Sequence, residues 1–141
     1  MVYTKKIRED EGAAYSVGCM GQMSRNDFRT TALVFVQCPM KPEKGELAMQ
    51  IIRDELVAMS KSCDADKLTK VKEYLVKAHA DRQKQNNYWI SMIGDWRDYG
   101  IDMHSGYLDA VKALTPEAIS AFAAELLKAG NRVEVVMMPQ E

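Results

Sequence analysis

The feature that most restricts the fold is a tract of helical periodicity that fills the chain from Asp64 to Gly100. Apolar residues recur in it at every third or fourth position, as they do on one face of an α-helix. They are Leu68, Val71, Leu75 and Ala78 in the first half, and Trp89, Ile93 and Trp96 in the second. Asp64 is a good N-cap and Gly100 a good terminator. The pattern predicts one long helix of about 30 residues with a polar middle.

Two short segments before this tract have the character of strands. The sequence AAYSVGCMGQM, from Ala13 to Met23, is partly alternating and interrupted by glycine. TALVFVQC, from Thr31 to Cys38, is an apolar, β-branched run that predicts a deeply buried strand. An Asn-Asp pair within Ser24 to Arg29 is typical of a turn. Together these segments predict an antiparallel hairpin.

The remaining elements are marked by local start and stop signals. Pro42 suits the first turn of a helix, and an apolar stripe that begins at Ala48 continues that helix. A short helix is predicted from Gly106 to Ala113, and Thr115-Pro116-Glu117 is a strong start signal for another. The final run, Arg132 to Met138, predicts a strand.

This order of elements predicts an α+β fold in which helices pack on one face of a mostly antiparallel sheet, as a two-layer sandwich. A chain of 141 residues is long enough for one domain, and we expect residues 1–141 to form a single folding unit. Hydrophobic residues make up 47% and charged residues 28%, with a net charge of -1. This balance implies neither nucleic acid nor an anionic membrane as a partner.

Recognised catalytic motifs are absent from the sequence. Its two histidines, His79 and His104, show neither the H-x-x-E-H nor the H-E-x-x-H spacing, so the chain has no recognisable zinc site of its own. There is no G-x-S-x-G motif, no phosphate-binding loop and no dinucleotide fingerprint. His79 lies on the polar part of the predicted helix, and we interpret it as a solvated or locally bonded residue rather than a ligand.

The opening stretch IREDEGAAYSVG carries a family resemblance. Arg8-Glu9, Gly12 and Tyr15-Ser16 resemble the R-E-x-x-G-x-x-Y-S signature of the pitrilysin/insulinase family of zinc peptidases. The resemblance continues downstream over essentially the whole chain and is closest to the bacterial zinc proteases of this family. Its further elements are the hairpin, QNNYW, a Tyr-Gly pair, the Thr-Pro-Glu helix start and a last strand that ends in VVMMP.

The resemblance implies a place in a larger enzyme. In this family each domain is built from two related α/β halves, and the signature lies in the domain that faces the zinc-bearing one. We therefore expect residues 1–141 to be the C-terminal portion of a metallopeptidase, cut on its N-terminal side. Zinc would be bound by another domain, either of the same chain or of a partner subunit. The implied location is the bacterial periplasm or cell envelope, with the cytoplasm as the alternative.

Two residues receive a role from this resemblance. Arg8 and Tyr15 match the family's Arg and Tyr, which contact the substrate backbone next to the scissile bond. The implied partner is a peptide, whose carbonyls need donors when it lies as an extra strand. A tyrosine hydroxyl or a guanidinium can also stabilise the oxyanion of peptide hydrolysis. The structural alternative makes Tyr15 a strand-face core residue and Arg8 a charge at the end of a helix.

The sequence is also compatible with two other functions. The complete protein could be a zinc-less partner or scaffold subunit, or the chain could be a free-standing α+β binding module. On every reading the isolated chain should be inactive as a peptidase. If it is a fragment, its unpaired strand edge should also favour self-association into a homodimer.

Overall fold

The computed structural model describes residues 2–25 and 30–137, except for the side chains of Arg25 and Thr30. It confirms the α+β class, because helices combine with an antiparallel pair of strands. A π-helix covers Thr4–Asp10 and a short 3-10 helix Pro42–Lys44. The strands are β1 (Gly18–Arg25) and β2 (Thr30–Gln37), and the helices are α1 (Gly45–Lys61), α2 (Ala65–Arg82), α3 (Asn86–Tyr99), α4 (Tyr107–Ala113) and α5 (Pro116–Ala129).

Internal contacts divide the chain into two compact units. The first unit comprises the described residues within Met1–Ala58 and Leu126–Glu141, and the second unit comprises Met59–Glu125. Among the described residues, no helix is both long and apolar enough to cross a membrane.

The core of the first unit is small. Ile7, Ala13 and Ala48 are buried at its centre, on the π-helix, the segment that follows it and α1. The half-buried residues around them are Tyr3, Ala14, Val17, Cys38, Met40, Ile51 and Ile52. The Tyr3 hydroxyl donates to the Ile52 carbonyl at 3.3 Å, and burial, the largest cause, raises the pKa of Tyr3 to about 12.

A glycine follows the end of the π-helix. Gly12 has φ +57, a left-handed conformation that other residues adopt at a cost. The backbone then reverses, so that the Ala13 amide donates to the Ile7 carbonyl at 2.9 Å. Ile7 and Ala13 are both fully buried, and this hydrogen bond fixes the direction in which the chain leaves the helix.

The predicted hairpin is confirmed, with Gly18 opposite Gln37 and Met23 opposite Ala32. The predicted turn within Ser24 to Arg29 falls largely at residues 26–29, outside the described part of the chain. The expectation that the second strand is deeply buried was wrong, because Leu33, Val34 and Phe35 are all exposed. The described sheet has only two strands, and the core contacts it only where the chain enters and leaves the hairpin.

The final predicted strand is also wrong for the residues that the structure describes. Residues 131–137 form no strand, and Val133 and Val135 are exposed. The segment is attached instead through Glu134, whose carboxylate lies 2.6 Å from the Arg53 guanidinium on α1. This contact, the largest cause, lowers the pKa of Glu134. The predicted strand ends at Met138, which lies outside the described residues.

In the second unit, two helices replace the predicted long one. α2 ends at Arg82 and α3 begins at Asn86, with Gln85 in an extended conformation at φ -104 and ψ 132. The predicted ends are confirmed: the Asp64 side chain accepts from the Lys67 amide at 3.0 Å, and Gly100 has φ +66. α2 packs against α4, where Val111 is buried.

Another predicted cap can be tested by mutation. The Thr115 hydroxyl accepts from the Ala118 amide at 3.2 Å at the start of α5. Thr115→Ala removes this acceptor and should lower the free energy of unfolding by about 0.5 to 2 kcal/mol, measured by urea denaturation. Thr115→Ser keeps the hydroxyl and is the control. Equal losses in the two variants would contradict the assignment of the cap.

Candidate functional site

The structure brings together the two residues that the sequence singled out. Arg8 lies in the last turn of the π-helix, and Tyr15 follows the reversal at Gly12. The guanidinium carbon of Arg8 stands 6.0 Å from the centroid of the Tyr15 ring. This distance is at the outer limit of a cation–π contact, so the two side chains form one surface feature. We call them the Arg8–Tyr15 pair.

The backbone on both sides of the pair is held by the first unit. Arg8 directly follows Ile7, whose side chain is fully buried. Ala14, which precedes Tyr15, forms an isolated antiparallel bridge with Met40. The Ala13 carbonyl also accepts from the Lys41 amide at 3.1 Å. Each member of the pair therefore sits next to a fixed point of the backbone while its own side chain reaches solvent.

The exposure of the pair excludes one interpretation of Tyr15, that of a core residue. The Tyr15 side chain is 87% exposed, so it is not a core residue on a strand face. Arg8 is exposed as well, and within residues 2–25 and 30–137 it forms no ion pair. Its position in the last helical turn still agrees with a favourable interaction with the helix dipole.

The pair can act chemically as a set of hydrogen-bond donors. A guanidinium has five N–H donors and a phenol has one O–H donor, and both suit carbonyl or carboxylate oxygens. The neighbouring acids Glu9, Asp10 and Glu11 are exposed, and Glu11 lies 3.9 Å from the Lys44 ammonium. Together, the donors of the pair and these neighbouring charged side chains can bind and orient a polar ligand on the surface.

A zinc site does not fit the residues that the structure describes. Zinc requires at least three protein ligands in catalytic sites. In the described part of the chain, no group of three or more His, Cys, Asp or Glu side chains is arranged to hold a metal ion. The Arg8–Tyr15 pair contributes two side chains that donate hydrogen bonds and no His, Cys, Asp or Glu ligand.

A second constellation lies in the second unit, where the sequence indicated none. Of the two interpretations of His79, solvated or locally bonded, the solvated one was wrong, because this side chain is only 3% exposed. Its ring stacks on Tyr107 at 4.4 Å between centroids and 16° between planes. Tyr88 and His104 each lie 5.8 Å from it. We call these four residues the histidine–tyrosine cluster.

Hydrogen bonds fix the outer members of the cluster. The Tyr88 hydroxyl is 2.8 Å from Nδ1 of His104, and the Arg82 guanidinium donates to the Tyr107 hydroxyl at 2.9 Å. Asp102 accepts from the amides of residues 104 and 105 at 2.9 Å. The Ser105 side chain is the largest cause that lowers the pKa of Asp102, to about 2.

Spacing in the sequence could not reveal this cluster. Its members come from α2, α3, the following loop and α4, with no constant interval between them. They meet because the chain turns at residues 83–85, where the Trp89 indole donates to the Gln83 carbonyl at 2.8 Å. The polar middle of the predicted long helix was the one available signal of that turn.

Comparison with known proteins assigns no family. No protein-family model matches the chain, and no curated protein matches it. The resemblance to the pitrilysin/insulinase family therefore stays a prediction that rests on the signature from Arg8 to Ser16 and on the motifs downstream.

Proposed function

We propose that this chain is the non-zinc-binding C-terminal part of a zinc metallopeptidase and that it binds the backbone of a peptide substrate. Its role is to hold the peptide and to close the cavity opposite the zinc-bearing domain. That domain belongs to the same polypeptide or to a partner subunit. Zinc, bound there, supplies the activated water for hydrolysis.

The geometry of the Arg8–Tyr15 pair is the observation that carries this proposal. The signature alone requires only that these residues stand seven positions apart in the sequence. In the structure they lie side by side, with the guanidinium 6.0 Å from the ring. Both side chains are exposed, as they must be to reach a ligand outside the chain.

The pair fits the chemistry of peptide hydrolysis. An extended peptide presents carbonyl oxygens that are left without donors unless the protein supplies them. During hydrolysis the scissile carbonyl becomes a tetrahedral oxyanion, and a donor placed at that oxygen lowers the barrier. The Arg8 guanidinium suits a neighbouring carbonyl, and the Tyr15 hydroxyl suits the developing negative charge.

Metal removal tests the proposal on the complete protein. The gene product should be purified from its own cells with an affinity tag at the natural locus, together with any stable partner. We expect it to hydrolyse a mixed pool of unstructured peptides. A zinc chelator should abolish this hydrolysis and added zinc should restore it, because the water that attacks the peptide depends on the metal.

The same measurement separates the rival functions. The isolated 141-residue chain is the matched control and should be inactive with or without zinc. A complete protein that binds peptides without cutting them would instead be a zinc-less partner subunit. A complete protein that neither binds nor cuts peptides would overturn the proposal and favour a different binding module.

A further inference from the structure

His79 stands apart from the other polar residues of the second unit. Its side chain is 97% removed from solvent, and no hydrogen-bond partner for its Nδ1 atom is found in residues 2–25 and 30–137. A buried imidazole nitrogen normally has such a partner, because an unsatisfied polar atom in a protein interior is costly. An orphaned nitrogen on a residue that titrates near neutral pH suggests a pH-dependent element.

We infer that the histidine–tyrosine cluster is an acid-sensitive latch, which holds residues 100–113 against α2 and opens when His79 is protonated. The latch joins α2 to the loop after α3 and to α4, through the contacts of His79 with His104 and Tyr107. This inference does not depend on the proposed peptidase function.

Among the described residues, no carboxylate forms an ion pair with His79 that could balance its positive charge in the closed arrangement. Burial is the largest cause that lowers the pKa of His79, and the nearby His104 and Arg82 lower it further. In the loop after α3, the Asp102 carboxylate accepts from the amides of residues 104 and 105 and is not paired with His79 in the part of the chain that the structure describes. On α3, Tyr88 presents a neutral hydroxyl that is already paired with His104.

The tyrosine rings do not provide an alternative site for the charge. A cation stacked on Tyr107 would normally gain cation–π energy. The Arg82 guanidinium already lies 5.5 Å from the centre of that ring and donates to its hydroxyl. An imidazolium at His79 would therefore share the ring with a second cation, at the cost of repulsion between them.

The direction of the pH effect follows from the lowered pKa. Histidine in an unfolded or opened segment titrates at about 6.5, above the pKa of His79 in the closed latch. At a pH between these two pKa values, the open form binds one more proton than the closed form. The closed form is therefore most stable above pH 6.5, and its population falls as pH decreases below 6.5. The equilibrium constant for opening should rise by up to about tenfold per pH unit in this window.

The chain is well suited to a direct measurement. Its two histidines give two imidazole signals in NMR, and a His104→Gln variant assigns them. Trp89 lies 4.9 Å from His104, so a Trp96→Phe variant leaves a single indole that reports on the cluster by fluorescence. Both signals can be followed between pH 8 and pH 5, along with the urea midpoint for unfolding.

Matched variants separate the latch from general acid sensitivity. We expect His79 to titrate below about 6.5 and the Trp89 fluorescence of the Trp96→Phe variant to change over the same range. His79→Phe can still stack on Tyr107 but cannot be protonated, so its urea midpoint should stay constant from pH 7 to pH 5. His104→Gln should keep the pH dependence, because His79 remains.

Two results would overturn the inference. One is a His79 signal that titrates at or above the ordinary range, since the closed form would then tolerate the charge. The other is a His79→Phe variant that loses as much stability between pH 7 and pH 5 as the unmodified chain. If this variant does not fold, the NMR titration of the unmodified chain decides by itself.

Discussion

Tyr15→Phe in the complete peptidase should lower kcat by about 10²- to 10³-fold and leave the stability unchanged. The loss follows from the removal of a single donor to the oxyanion, which typically raises the barrier by about 2.7 to 4 kcal/mol. Stability should not change, because the side chain is 87% exposed and the phenyl ring remains to contact Arg8. Steady-state kinetics on a peptide substrate and a thermal unfolding curve measure the two effects.

The chain offers a matched control for this substitution. Tyr74 on α2, in the second unit, is 69% exposed, so Tyr74→Phe removes a hydroxyl of similar exposure from a tyrosine that does not belong to the pair. It should leave kcat unchanged. Arg8→Lys keeps the charge but loses the planar fork of donors, and it should raise KM by weakening contact with the peptide backbone. Equal kcat values in Tyr15→Phe and Tyr74→Phe would remove Tyr15 from the catalytic assignment.

Local signals in the sequence predicted the ends of the elements better than their continuity. Helices begin or end where the sequence predicted at Asp64, Thr115 and Gly100, because capping depends on a few neighbouring residues. The prediction of one long helix was wrong because the two helices share one apolar periodicity, which hides the break between them. In a straight helix, His79 and Tyr88 would be separated by about 13.5 Å along the axis. Their rings are 5.8 Å apart, which only the turn at residues 83–85 allows.

Non-local contacts explain the other errors. An apolar, β-branched run favours a strand, but burial of that strand requires a partner surface elsewhere in the chain. Leu33 and Phe35 have no such surface in the described residues and remain exposed, and residues 131–137 pair with no strand there. The proximity of Arg8 and Tyr15 was predictable only through the family resemblance. Its physical basis, the reversal at Gly12, is visible in the sequence as a glycine that ends a helix.

Ile7→Ala should cause the largest loss of stability among the changes considered, about 2 to 5 kcal/mol. Ile7 is 0% exposed and is the largest fully buried side chain among the described residues. Its only fully buried apolar neighbours in the core cluster are two alanines, Ala13 and Ala48, which cannot expand to fill the cavity. Since domains are typically stable by about 5 to 15 kcal/mol, this loss is a large fraction of the total. Urea denaturation followed by circular dichroism would measure it.

A graded series makes this prediction specific to the core. Ile7→Val removes one methylene and should cost about 0.5 to 1.5 kcal/mol, whereas Ile90→Ala, at a 72% exposed position on α3, should stay within about 0.5 kcal/mol. Equal costs for the Ile7 and Ile90 alanine variants would mean that Ile7 is not in a packed core. Ile7 precedes Arg8 and its carbonyl accepts from Ala13, so the same cavity should also loosen the Arg8–Tyr15 pair. Peptide hydrolysis by Ile7→Ala should therefore fall at temperatures where the protein is still folded, because a donor displaced by about 1 Å loses much of its effect.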